Sequence, residues 1–253
     1  MSENTDATAP VGLVPAQISA ALDWESDCRN ARNWSHTRKA STTAIVSAIG
    51  FVSTLAASIY APGHEQVAEQ FGVSVELALL PLSFYNVGMA FGPIIASPMS
   101  ETFGRKAVYL TTTPLFALFV LGSGFSADLA SLTICRFLAG VFGAPGVSIA
   151  SATIADMTAP PKRGTPLSMY YCIPFIGSLL GPLVGGYVTE TKDWRWTQWT
   201  VLFFGAVVFP LMFFQQESYK KIVLQRIARD QGWELPQPQR SPQKIVGHFL
   251  TTT

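Results

Sequence analysis

The chain has 253 residues, of which 49% are hydrophobic and 13% charged, with a formal net charge of +1. Ordinary soluble domains carry about 25% charged residues, so this is the composition of a membrane protein. Basic residues come in small clusters balanced by acids, which argues against a nucleic-acid partner.

Residues 1–39 are polar and lack the basic start, short apolar core and small-residue cleavage site of a signal peptide, so they are expected to form a mostly disordered cytoplasmic tail. Six apolar runs follow, at 40–61, 77–98, 107–125, 132–155, 166–188 and 196–214. Each approaches the roughly 20 residues that carry a helix across about 30 Å of hydrocarbon. The runs are continuous rather than alternating, which selects helices over barrel strands. The expected fold is an all-α membrane protein with a six-helix transmembrane domain over 40–214, followed by a second cytoplasmic tail at 215–253.

Lys and Arg orient the bundle. The two tails and the loops after the second and fourth runs carry fourteen of them, including Arg105, Lys106, Lys162, Arg163 and Lys220, whereas the opposite side has only Lys192 and Arg195. Basic residues stay on the cytoplasmic side, which places both tails there. The sequon Asn33-Trp34-Ser35 then lies out of reach of glycosylation enzymes and reads as a chance occurrence.

Within the runs a few residues break the apolar pattern. Tyr85 and Asn86 on the second helix either line a cavity or bond inside the bundle. Arg136 lies inside the fourth run, where a charge costs at least about 2.5 kcal/mol on insertion scales. It either faces protein or a wet cavity, or snorkels to the interface from one turn past Leu132. Cys135 and Cys172 fall in apolar segments as small packing residues, and with Cys28 they show no metal-ligand spacing, so neither zinc nor redox chemistry follows. No acidic side chain occupies the middle of a run, which leaves no obvious proton-carrying carboxylate.

The fifth run carries Gly177, Gly181 and Gly185 at every fourth residue. They form one stripe that lets another backbone approach closely, in a static or a moving contact. Pro182 beside it removes a backbone hydrogen bond and favours a kink. Trp194, Trp196 and Trp199 read as an interfacial belt. A zinc-protease motif, a nucleophile elbow, a P-loop and a dinucleotide fingerprint are all missing from the sequence, so an enzyme is disfavoured and no cofactor is expected.

The loop after the second run, "SPMSETFGRK", sets Ser97, Glu101, Gly104, Arg105 and Lys106 in a pattern of small residue, acid, then Gly-Arg-basic. A tight turn between helices needs Gly104, and Glu101 and Arg105 at helix ends can exchange partners as the helices shift. A solvated loop whose charges only fix topology is the alternative. This pattern resembles the loop between helices 2 and 3 of the major facilitator superfamily, in the form found in fungal twelve-helix drug:proton antiporters. Two departures stand out: Glu101 replaces the commoner Asp, and Thr102 stands where many members have Arg. "RFLAGVFGA", with Arg136 and Gly140 in register, is similar to the family's fourth-helix motif. "GSLLGPLVGG", covering Gly177, Gly181, Pro182, Gly185 and Gly186, is similar to the fifth-helix motif of antiporters. "DWRWTQW" and "ESYKKIVLQR" also look like the fungal branch, on either side of helix 6.

The resemblance implies the N-terminal half of a two-half fold. In that fold Arg105 pairs with Asp156 at the cytoplasmic end of helix 4, Glu101 faces the second half, and the loop acts as a latch on one transport state. Arg136, with Gly140, is implied to assist proton coupling or substrate orientation. The implied function is proton-coupled export of small organic molecules such as drugs or polyamines, in the plasma membrane or the vacuolar membrane. Its implied partners are the lipid bilayer, protons, a small organic substrate, and a complementary C-terminal half or a full-length transporter. The alternative is a non-transporting truncated membrane protein, a relic or a modulator of a full-length transporter.

Overall fold

The structure is a computed structural model that describes residues 24–230. Those residues form helices joined by short turns, with no strand among them. Six helical segments are long and apolar enough to cross a membrane: His36–Phe71, Val75–Phe103, Arg105–Gly124, Leu129–Met157, Gly164–Thr191 and Arg195–Phe213. They contain α1 (His36–Ser58), α2 (His64–Phe71), α3 (Val75–Ala78), α4 (Leu80–Phe103), α5 (Arg105–Gly124), α6 (Leu129–Gly143), α7 (Pro145–Met157), α8 (Gly164–Thr191) and α9 (Arg195–Phe213). A further helix, α10 (Lys220–Asp230), follows. The chain divides into Glu25–Ile222 and a second unit, of which Trp24 and residues 223–230 are described; there Trp24 packs with Leu224, Ile227 and Ala228.

Helix ends are set by caps and prolines rather than by where hydropathy rises. The α1 helix starts at His36, inside the segment expected to be tail, because Ser35 Oγ accepts the Arg38 N–H at 3.3 Å and caps the first turn. Ahead of it, Lys39 Nζ donates to the Arg32 carbonyl at 2.6 Å and the Arg38 guanidinium stacks over Trp34 at 4.1 Å. The fourth span is divided at Ala144 because Pro145 brings no N–H to the ladder. Pro174 and Pro182 lie inside α8 without ending it.

Two helix pairs touch almost backbone to backbone. On α8, an added Cβ at Gly177 would meet Thr54 Oγ1 at 2.6 Å, at Gly181 the Ile59 nitrogen at 2.9 Å, and at Gly185 the Ile59 carbonyl. The glycine stripe therefore packs against α1, which settles where it faces. Gly186, one residue on, has nothing within 4 Å. The second pair is α4 with α6, where a Cβ at Gly88 would strike the Phe137 carbonyl and one at Gly140 the Tyr85 carbonyl. Without a hydrophobic drive between helices in lipid, such small-residue contacts supply close van der Waals packing.

Apolar clusters fill the bundle at three levels. Val46, Val108, Ile149, Ile154 and Tyr170 pack at one end, Val52, Ile59, Tyr85, Phe116 and Val201 in the middle, and Tyr60, Val67, Leu132 and Trp194 at the other end. Trp194 is fully buried in the last cluster and its Nε1 donates to Gln70 Oε1 at 2.6 Å, so it is a core residue and not part of an exposed belt. Trp196 is half exposed. Much of α4 and α8 presents apolar side chains outward, among them Phe91, Ile95, Phe103, Phe175, Leu179 and Leu183.

Candidate functional site

Two arginine-centred arrangements stand out, one at an end of the bundle and one in its interior. At the end shared by the turns 103–105, 157–164 and 213–217, Gly104 adopts φ +96° and ψ 159° between α4 and α5, a conformation essentially restricted to glycine. The same turn has no room for a side chain, because a Cβ at Gly104 would run into the Glu217 carboxylate. Glu217 comes from beyond α9 and is itself buried. Its Oε1 accepts the Arg105 N–H at 3.0 Å and the Tyr219 N–H at 3.0 Å, and its Oε2 accepts the Lys106 N–H at 3.1 Å. A carboxylate on the first amides of α5 satisfies donors the helix leaves open and lies at the positive end of its dipole.

Arg105 turns the other way. Its Nη1 donates to Ser100 Oγ at 2.6 Å, its Nε to Asp156 Oδ2 at 3.3 Å, and its guanidinium lies 5.0 Å from the centre of the Tyr219 ring. Burial pushes the Tyr219 phenol up from its ordinary value, against the opposing pull of the Arg105 charge. Lys106 Nζ donates to the Phe213 carbonyl at 3.1 Å. Four helices, α4, α5, α7 and α9, and the non-helical segment after α9 thus meet on one short turn. Glu101 is exposed and forms no ion pair among the described residues. Ser97 is exposed, and its carbonyl accepts the Ser100 hydroxyl at 2.8 Å.

Arg136 is only 1% exposed, so its side chain does not snorkel to the interface. Its Nη1 donates to the Ala56 carbonyl at 2.7 Å, and its guanidinium lies 4.5 Å from the Tyr60 ring centre and 5.5 Å from that of Tyr85. Both rings are tied down: Tyr60 donates to the Ala78 carbonyl and Tyr85 to the Ser53 carbonyl, each at 2.8 Å. Among the described residues no carboxylate accompanies the charge, and Nε and Nη2 have no hydrogen-bond partner. Gly140, one turn along α6, lets that helix close onto the Tyr85 backbone and brings ring and guanidinium together. The arrangement can hold a cation by two aromatic faces and still offer two N–H donors.

A cavity of about 440 Å³ lies among α1, α5, α6, α7 and α9. Tyr85 and Asn86 are not on its wall; Tyr85 is fully buried, and Asn86 is exposed with its Nδ2 bonded to the Leu82 carbonyl at 3.0 Å. The structure brings Gly104, Arg105, Lys106 and Asp156 together, puts Arg136 and Gly140 at a separate place, and sets Gly177, Gly181 and Gly185 on α1. Sequence reasoning missed Glu217, Ser100, Tyr60 and Ala56 as partners. For Glu217 a signal existed, since it opens the "ESYKK" segment. Tyr60 had none, because a tyrosine at the end of an apolar run looks like any interfacial residue.

The Major Facilitator Superfamily profile matches residues 46–251. Polyamine transporter 4 of Saccharomyces cerevisiae is 35% identical over 235 residues, which is 92% of this chain and 35% of that protein. Efflux pump radE of Floropilus chiversii is 34% identical over 234 residues, 90% of this chain and 44% of that protein. A solved structure of a proton:xylose symporter of the same superfamily, bound to 6-bromo-6-deoxy-D-glucose, is similar with a TM-score of 0.67. That likeness covers 78% of this chain and 50% of the symporter at 16% identity, and concerns the fold alone. The chain spans less than half the length of the two curated relatives.

Proposed function

Since the chain belongs to the major facilitator superfamily, we propose that it supplies the N-terminal six-helix half of a proton-coupled exporter of small organic molecules, polyamines or drug-like compounds among them. The observation that carries the reading is the cluster on Gly104. Arg105, Asp156, Ser100, Tyr219 and Glu217 tie together α4, α5, α7 and the segment after α9 through contacts at the rim of the bundle. A contact of this kind closes one transport state and releases in the other.

Several features support the finer parts. The names of relatives include a polyamine transporter and an efflux pump, which favours export of such compounds. Arg136, buried without an acid, is the group whose surroundings would change most if a proton or a charged substrate came near, which suits a coupling role. The distribution of Lys and Arg favours a cytoplasmic Gly104 end. The outward apolar faces of α4 and α8 suit contact with a complementary C-terminal half, with the substrate held between halves and access alternating as one rocks on the other. The plasma membrane is the proposed location.

The test uses the chain joined to the C-terminal half of a curated relative, reconstituted in liposomes with an imposed proton gradient and radiolabelled spermidine. Gradient-driven movement that Arg136→Ala abolishes supports the reading. Movement insensitive to the gradient refutes proton coupling, and transport unaffected by Arg136→Ala refutes the role given to that residue.

A further inference from the structure

The cavity among α1, α5, α6, α7 and α9 is separate from both arginine arrangements, since neither Arg105 nor Arg136 is on its wall. We propose that it is a lipid site, occupied by an acyl chain of the surrounding bilayer that enters sideways between α5 and α9.

Its depth is the first argument. Thr113 to Ala117 lie at the middle of α5, Leu202 to Phe209 in the inner part of α9, and Ile49 to Ser53 well inside α1, so the whole wall is at hydrocarbon level. The mouth is the second. Pro114 and Ala206 at its lips are exposed, and they adjoin Leu118 and Phe203, which are 56% and 74% exposed and face outward from the same helices. The opening is therefore continuous with the surface that α5 and α9 turn to lipid.

The third argument is chemical. Of the side chains on the wall only Ser53 and Thr113 carry a polar group, and the Ser53 hydroxyl already donates to the Ile49 carbonyl at 3.1 Å. A buried water needs two to four polar partners, which this wall does not supply, and a dry apolar cavity takes apolar guests. About 440 Å³ is also within the range of pockets that hold small ligands. Left empty, the wall would forgo dispersion contacts on one side. The space exists because small residues surround it: a Cβ at Gly205 would meet nothing within 4 Å, while Gly143 and Gly146 draw the floor in against Phe116 and Ser53.

The test photolyses the full chain in vesicles of a phosphatidylcholine with a diazirine near the middle of one acyl chain, and maps the adducts by mass spectrometry. Bulk lipid reaches Phe203 but not the floor residues Ile49, Ser53 and Phe116, which are at most 5% exposed. Adducts on those floor residues are expected in the wild type. They should be lost in Gly205→Phe, which fills the cavity, while labelling of Phe203 persists and reports that the bundle is folded. Ala117→Leu narrows the cavity from α5 and should lower the floor adducts independently. A floor without adducts in the wild type beside a labelled Phe203 overturns the proposal, as would be the case if another protein segment or a second copy closed the mouth. Floor labelling that survives both variants overturns it too.

Discussion

Arg105 and Arg136 are the same side chain in two settings, and the contrast separates a contact that can be exchanged from one that is fixed. Arg105 has a carboxylate, a hydroxyl and an aromatic ring around it, at the rim of the bundle, and its partner Asp156 keeps 28% of its side chain exposed. The Arg105 side chain is itself only 9% exposed, so this is not a surface pair worth about 0–1 kcal/mol. What lets it exchange is that its partners come from separate segments that can shift against one another. Arg136 is buried with no acid beside it among the described residues, held by a carbonyl and two tyrosine rings that are anchored in turn. Desolvated cation–π contacts reach about 2 kcal/mol or more. Removing this charge from its place would also cost its hydrogen bond to the Ala56 carbonyl. A device that opens and closes uses the first arrangement, and one that stays put and senses a neighbour uses the second.

The strongest way to break the comparison is Arg136→Ala. In the chain joined to a complementary half, as proposed above, it is expected to abolish gradient-driven transport with protein still in the membrane, measured by uptake and by quantitative immunoblot. Normal export would make the buried guanidinium a packing residue. Arg105→Ala should instead slow turnover without abolishing it, read as a lower initial rate at saturating substrate. Equal losses in the two variants would erase the distinction.

Stability sharpens the contrast at the rim. Gly104→Ala forces a side chain into a conformation costing about 1–3 kcal/mol and against the Glu217 carboxylate, so thermal unfolding in detergent should shift clearly downward. Glu217→Gln removes the charge from the start of α5, worth about 0.3–1 kcal/mol, and also turns an NH2 toward an amide N–H that needs an acceptor, so the loss should exceed that figure. The smallest effect belongs to Gly186→Ala. Nothing lies within 4 Å, and replacing a helical glycine gains up to about 1 kcal/mol, whereas Gly185→Ala must displace the Ile59 carbonyl and should destabilise.

Much of this architecture is legible in the amino-acid sequence. Six apolar runs announce six spans because the requirement to cross hydrocarbon acts on each segment by itself. The glycine stripe announces a close helix contact for the same reason, since the four-residue spacing is local. What faces it is not local: only the fold sets Gly181 on Ser58 and Ile59. The Arg105–Asp156 pair came from family resemblance, as no spacing rule links residues 51 positions apart. For Glu217 the sequence offers the "ESYKK" segment but not its partners, because the α5 amides it caps lie more than a hundred residues earlier. Trp194 misled for a physical reason. Tryptophan near a span end usually lies in the interface, but here α2 folds over it and Gln70 takes its N–H.

The most direct test of the account supplies the chain and a complementary half separately. Purified 253-residue protein in liposomes with an imposed proton gradient should move no labelled spermidine, because in the proposed arrangement one wall of the midplane site would belong to the second half. Co-reconstitution with the C-terminal half of a curated relative should restore gradient-driven movement, and Arg136→Ala should remove it again. Proton-driven transport by the chain alone would contradict the two-half reading.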